Sequence, residues 1–411
     1  MTGQVSRLRT WRPVAGVLAA IALSQTGTKI AALAIPWFVL VSTGSVAKTG
    51  LSVFCEMGPY VLVKTLAAPL VDRVGPRRVS WVGDVASAAA LAAVPLLNSL
   101  GHLPFWALLV LVGVVGTARG PGDQAKEVMI LYAADLSGIP LERATGLAGV
   151  MERLASTLGP SIGAGLVAVL DSSTALLANT VVLCLGSLSV VLGLPAGVGV
   201  QRTATTEGYW SQLRSGATFV AHDRLLLAVI LLLALTNLLN LALTSVLLPA
   251  WALHSGAGVL AVGLANSTRG VTAICGSLLA AIVAHRLRRR PVFFVSFLLA
   301  GAPMFWILAA GAPLWAVLVT FAVAGFGIGF INPILSAVRF ERVPRPLVSR
   351  VVALTDSIAW VGIPFGGLCA GLAVASLGLV PALITAGALY LAATNLVSLR
   401  PEWRSMEKDV E

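Results

Sequence analysis

Runs of about 20 apolar residues, each broken by a short polar stretch, follow one another along almost the whole chain. A run of that length crosses the hydrocarbon core of a bilayer as an α-helix. The pattern predicts helices over 13–41, 49–71, 79–98, 104–128, 143–170 and 174–195. A second set follows over 225–252, 258–284, 291–311, 313–338, 350–376 and 379–399. Between the sets lies one long polar stretch, Ala196 to Arg224, read as a linker with a short amphipathic helix around Tyr209–Val220. The expected architecture is an all-α integral membrane protein of 12 transmembrane helices. Residues 1–195 and 225–411 form two six-helix bundles, joined by a cytoplasmic linker over 196–224. The first apolar run, Pro13 to Val41, exceeds a removable signal h-region of about 7–15 residues and is read as a retained helix.

Composition agrees with this pattern. Of 411 residues 57% are hydrophobic and 11% charged, against roughly 25% charged in soluble proteins. The net charge of +11 would point to nucleic acid in a soluble chain, so position decides its meaning. With the N-terminus in the cytoplasm, 22 of the 28 basic residues fall in tails and loops of one face. Lys48 stands alone opposite, and Lys29, Lys64, Arg119, Arg153 and Arg269 lie inside helices. The positive-inside rule then puts both termini in the cytoplasm and requires an even number of crossings. Contact with anionic membrane lipids accounts for the basic loops without a nucleic-acid partner.

No lysine follows a glycine, so the chain has no phosphate-binding P-loop. The four histidines lie in or beside loops, and the four cysteines are scattered through apolar stretches. No metal, cofactor or enzymatic constellation is expected, which leaves an ion gradient as the energy source.

The two sets of helices repeat one another. Glu152-x7-Pro160-x2-Gly163 on the fifth helix matches Asp356-x7-Pro364-x2-Gly367 on the eleventh. Pro36 matches Pro249 at an offset of 213, which also carries Asp72-Arg73 onto His285-Arg286 and Glu56 onto Arg269. Duplicated halves explain these matches; chance likeness between Ala/Leu/Gly-rich helices is the competing reading.

The loop APLVDRVGPRR (Ala68–Arg78) resembles the signature between the second and third helices of the major facilitator superfamily, through Asp72, Arg73, Gly75, Arg77 and Arg78. The fifth helix is similar to that superfamily's antiporter signature through Gly146, Ala155, Gly159, Pro160, Gly163 and Ala164. IPWFVLVSTGS and VPRPLVSRV look like its macrolide and multidrug efflux branch. The resemblance implies two pseudo-symmetric bundles that rock to export a small-molecule substrate in exchange for protons. It also implies that Asp72 faces the N-terminal end of the eleventh helix as a latch, with Arg73 on an acidic neighbour. Topology anchoring by the arginines alone is the alternative.

Charges inside helices are costly and tend to face one another. Lys29, Glu56 and Arg269 fall in the outer half by residue count. Asp84, Arg119, Glu152, Arg153 and Asp356 fall in the cytoplasmic half, with Lys64 between. The expected outer pair is Lys29 with Glu56, and Glu56 is the candidate proton carrier, because burial and a nearby cation can tune a carboxylate. A permanent ion pair that never titrates competes with this. Glu152 and Asp356, with Arg119 as partner, read as an inner gate or a fixed scaffold; Asp84, six residues into its predicted helix, reads as interfacial. Arg269 is open between an anionic substrate group and a carboxylate partner. If the superfamily architecture holds, Gln25, Trp37, Asn237, Asn240, Phe326, Phe330 and Asn332 are cavity candidates, with interhelical packing as the competing role. A greasy wall with few polar groups suits an amphipathic substrate.

A monomeric multidrug exporter in the bacterial cell membrane is therefore the leading expectation. Uptake or lipid flipping on the same fold, and a non-transporting receptor or scaffold, are the alternatives.

Overall fold

The computed structural model describes residues 11–195, 223–283, 287–343, 348–398 and 403, with Asp356 and some neighbours described by backbone only. Nearly all of the linker predicted over 196–224, including its amphipathic helix, lies outside these residues.

Every regular element among the described residues is helical. The first half comprises α1 (Arg12–Thr43), α2 (Val46–Leu66), α3 (Ala68–Val74), α4 (Pro76–Ser99), α5 (Phe105–Ser137), α6 (Leu141–Leu170) and α7 (Ser172–Gly193). The second comprises α8 (Arg224–Ala242), a π turn (Leu243–Leu247), α9 (Leu248–His254), α10 (Gly258–Val283), α11 (Arg289–Ala300) and α12 (Ala302–Ala309). It continues with α13 (Leu314–Arg342), α14 (Val348–Val361), α15 (Ile363–Leu377) and α16 (Leu379–Ser398). Among the described residues nine helical stretches are long and apolar enough to cross a membrane. α2 and α10 fall outside that set because Lys48, Glu56 and Lys64, or the polar run Asn266-Ser-Thr-Arg269, interrupt their apolar sequence.

Predicted helices 225–252, 291–311 and 350–376 each divide, at the π turn, at Gly301 and at Gly362, and two further changes bear on the site. The second predicted helix, 49–71, divides into α2 and the short α3 at Ala67. α5 runs to Ser137, well past the predicted end at 128, and closes with Gly138 in the left-handed region (φ 62°), where glycine has no Cβ penalty. The fully buried Val14, Ile30, Val112, Leu176, Val246 and Phe321 belong to the packed interior. Trp106 and Trp315, 69% and 70% exposed, stand at the starts of α5 and α13, where amphipathic rings meet a bilayer's interface.

The repeat is built into the backbone. A methyl on Gly116 would overlap the Glu56 carbonyl, and one on Gly120 would press on Tyr60 and Lys64 backbone. In the second half Gly325 sits against the Arg269 carbonyl and Gly329 against Ala273, Gly276 and Ser277. Each of these glycines is 209 residues beyond its counterpart, as Trp315 is beyond Trp106. Small residues at this spacing let helices approach to backbone contact.

The halves meet by the same device. Gly50 of α2 abuts Gly367 and Gly371 of α15, while Gly263 of α10 abuts Pro160 and Ala164 of α6. Ser161 donates to Ser267 at 2.8 Å beside the second contact. Both seams lie toward the chain turns at 44–45 and 255–257, the end opposite Arg73, Arg77 and Arg78.

Candidate functional site

The approach of α2 and α5 at Gly116 places Glu56 beside Arg119. Arg119 Nη1 lies 3.6 Å from Glu56 Oε1, with side chains 3% and 2% exposed. The separation suits an ion pair and is too long for a hydrogen bond. Glu56 Oε1 and Arg119 Nε and Nη2 are buried without a protein hydrogen-bond partner. Attraction in a dry interior joins the two groups while the geometry leaves them unlocked.

This pair replaces the expected Lys29–Glu56 pair and withdraws Arg119 from the inner carboxylates. Residue counting assigned Arg119 to a deeper layer than Glu56. The extension of α5 to Ser137 sets Arg119 farther from the cytoplasmic end than the predicted end at 128 implied, and its close run against α2 brings the two to one level.

Lys29 is half-buried, and its stem fills the notch at Gly159. It forms no ion pair within 4 Å among the described residues but feels the charges of Arg119, Glu152, Asp123 and Arg269. Glu152 and Arg153 are exposed. Gly163 packs on Ile30, whereas Gly146 faces open space. The side chain of Asp356 lies outside the described residues.

Asp84 corrects its assignment as an interfacial group. It is 1% exposed, and Lys126 Nζ lies 2.8 Å from its Oδ1. Asp123 lies one helical turn before Lys126, with its Oδ1 3.8 Å from Nζ, and Tyr60 donates to its Oδ2 at 3.1 Å. Sequence reasoning passed over Asp123, Tyr60 and Lys126, counting Lys126 with the cytoplasmic loops. The unbroken helical pattern from Phe105 to Ser137 holds the missing signal: Lys126 is three turns short of its end.

Lys64 forms a more exposed ion pair with Glu127 at 3.0 Å. Its Nζ also lies 4.9 Å from the Trp360 ring centroid, and Trp360 stacks with Tyr60 at 6.4 Å. This contact joins α2 to α14 across the halves.

In the second half Arg269 lacks a carboxylate partner among the described residues, and its buried Nη1 has no hydrogen-bond partner. Tyr390 and the Asn240 amide share its polar surroundings, beside the π turn that follows Asn240 in α8.

The cavity candidates divide. Asn237 donates to the Ala359 carbonyl at 3.0 Å, a bond between α8 and α14. Trp37 is buried at 9% exposure. Gln25 is half-buried and Asn332 exposed, while Phe326 and Phe330 place their rings 5.6 Å apart.

Of the loop signature, Asp72, Arg73 and Arg78 are exposed. Gly75 turns the chain at φ 91°, and Arg77 donates to the Val191 carbonyl at 2.9 Å. That bond anchors α4 to the end of α7 and gives Arg77 a structural task.

Residues 17–238 and 230–405 match the Major Facilitator Superfamily. Over 396 residues the chain is 30% identical to the multidrug efflux pump Tap of Mycobacterium tuberculosis, spanning 95% of this chain and 94% of that protein. Macrolide efflux protein A of Streptococcus pyogenes is 19% identical over 394 residues, 94% of this chain and 95% of that one. The solved nucleoside transporter NupG shares the fold at TM-score 0.76 and 12% identity, over 97% of this chain and 99% of that chain. These matches bear out the expectation of a multi-span transporter fold rather than an enzyme. The chain belongs to the Major Facilitator Superfamily of membrane transporters, on the branch that holds multidrug and macrolide efflux proteins.

Proposed function

We propose that the chain exports hydrophobic or amphipathic, drug-like small molecules in exchange for protons. Its kinship with Tap and macrolide efflux protein A supports efflux. The observation that carries proton coupling is the buried, unlocked Glu56–Arg119 pair. When the pair opens, a proton replaces Arg119 as the neutralising partner of Glu56. Reclosure expels it, so one carboxylate alternates between two partners.

Alternating access fits the two seams. Gly50 against α15 and Gly263 against α6 close one end of the molecule, and rocking of residues 1–195 against 225–411 would open it. Counting α2 with α3, α8 with α9, α11 with α12 and α14 with α15 as single crossings gives twelve. Both termini then fall on the arginine-rich face, which is the cytoplasmic one. The monomer in its lipid shell is the working unit, and Gln25, Asn240 and Asn332 supply the few polar groups of an otherwise apolar wall that includes Phe326.

Proteoliposomes test this reading. A substrate gradient should drive protons in the opposite direction, and Glu56→Gln should abolish that exchange without loss of folded protein. Proton and substrate movement in the same direction would overturn export by antiport. Intact exchange in Glu56→Gln would overturn the role of Glu56.

A further inference from the structure

Four helices of the first half meet at a buried cluster distinct from Glu56–Arg119. Lys126 of α5 bridges Asp84 of α4, at 2.8 Å, and Asp123 of its own helix, at 3.8 Å. Ser24 of α1 donates to Asp84 at 3.4 Å, and Tyr60 of α2 donates to Asp123 at 3.1 Å. All three charged side chains are 3% exposed or less. Two carboxylates therefore share one ammonium.

The surrounding charges leave this imbalance in place. Arg119 faces the cluster but is engaged by Glu56. Lys64 is taken by Glu127. Lys29 of α1 feels Asp123 and also Glu152 of α6, with Arg269 acting on it from the other half. Lys126 is thus the only cation in ion-pair contact with the two aspartates among the described residues. A second ionised carboxylate buried beside it would be uncompensated.

Two oxygens in the cluster, Asp84 Oδ2 and Asp123 Oδ1, are buried without a protein hydrogen-bond partner. Two are too few for a hard metal cation, which takes about six or more oxygen ligands. A proton needs only one.

We propose that Asp84, Asp123 and Lys126 form a proton-binding site separate from Glu56, and that Tyr60 carries its state to the other half. The proton sits on one aspartate while Lys126 neutralises the other. Its loss makes Asp123 a fully ionised acceptor and strengthens the Tyr60 hydrogen bond. Tyr60 stacks on Trp360 of α14, so protonation loosens, and deprotonation tightens, an anchor of the contact between halves. The proposal rests on proton exchange as the function, but the site itself can be read without transport.

Infrared spectroscopy of the full chain in lipid nanodiscs, without substrate, detects protonated carboxyl groups. At neutral pH we expect a protonated-carboxyl band that shifts with carboxyl-labelled aspartate. Asp84→Asn or Asp123→Asn should remove its ionisable proton, and Glu56→Gln should leave the band. Absence of the aspartate band from folded wild-type protein, its loss in Glu56→Gln, or its displacement by sodium would overturn the proposal. Should an asparagine variant fail to fold, Lys126→Met provides the second test: loss of the one ammonium should about double the band, and an unchanged band would overturn the site. Tyr60→Phe should keep the band while abolishing the pH dependence of spin-label distances between the halves; retained dependence would overturn Tyr60 as the carrier. Failure of the antiport reading appears separately, as proton-independent transport by the wild type.

Discussion

Arg119 and Glu56 form an ion pair at 3.6 Å with side chains almost wholly removed from solvent. Removing one partner leaves the other uncompensated, a loss of about 3–5 kcal/mol for a buried pair. Arg119→Met should therefore lower thermal stability in detergent by several degrees. The double variant Glu56→Gln/Arg119→Met should recover part of the loss, because no orphaned charge remains. Equal destabilisation of the single and double variants would show that Arg119 acts through packing rather than charge.

The glycine seats differ sharply from glycines in open positions. Gly116→Ala and Gly325→Ala would each drive a methyl into a facing carbonyl, and overpacking of this kind costs about 1–3 kcal/mol or more. Gly58 has no neighbour within 4 Å of its added methyl, so Gly58→Ala should be neutral or stabilising by up to about 1 kcal/mol. Unfolding midpoints of the three purified variants compare the effects directly.

Asp171 connects α6 to α7 at φ 72° and ψ 168°, a conformation that favours glycine. Its carboxylate accepts from the Ser173 N–H at 2.7 Å and the Thr174 N–H at 3.0 Å. The Thr174 N–H foremost, with the Thr174 hydroxyl and Ser173 N–H, holds its carboxyl below the usual carboxylate range. The stabilisation from this cap is complete above the ordinary aspartate range and fades as pH falls through the depressed value. Asp171→Ala should lose about 0.5–2 kcal/mol, and Asp171→Gly less, because glycine relieves the backbone. Acid unfolding curves should show wild type and Asp171→Ala converging at low pH.

Trp360 links the halves through Tyr60 and Lys64. An exposed cation–π contact contributes about 0.5–1 kcal/mol, so Trp360→Ala should change global stability little. It should instead widen the distribution of spin-label distances between the two halves. An unchanged distribution would remove this contact from the gating apparatus.

Much of this organisation was legible in the apolar pattern, because a membrane helix must satisfy its backbone internally and shows its length in sequence. The duplicated Pro and Gly positions also pointed toward the seams. Charge pairing was less legible. Depth inferred from predicted helix ends separated Glu56 from Arg119 and moved Lys126 into a loop, since a helix that continues beyond its apolar run hides the register of its polar residues. Lys29 and Glu56 are neighbours in helix order, but backbone contact through Gly116 brings Arg119 to Glu56 instead.

That glycine contact also separates folding from chemistry. In the first half it brings Glu56, Tyr60 and Lys64 beside α5; at the matching positions α10 carries Arg269, Ala273 and Ser277. Because the seat is made by backbone atoms, the side chains around it could diverge while the helices kept their places. The first half retains the dense ionic network, and the second has neutral residues at most of the corresponding positions. One scaffold thus leaves its two copies free to diverge, the first carrying the dense buried charge and the second largely neutral at the matching positions.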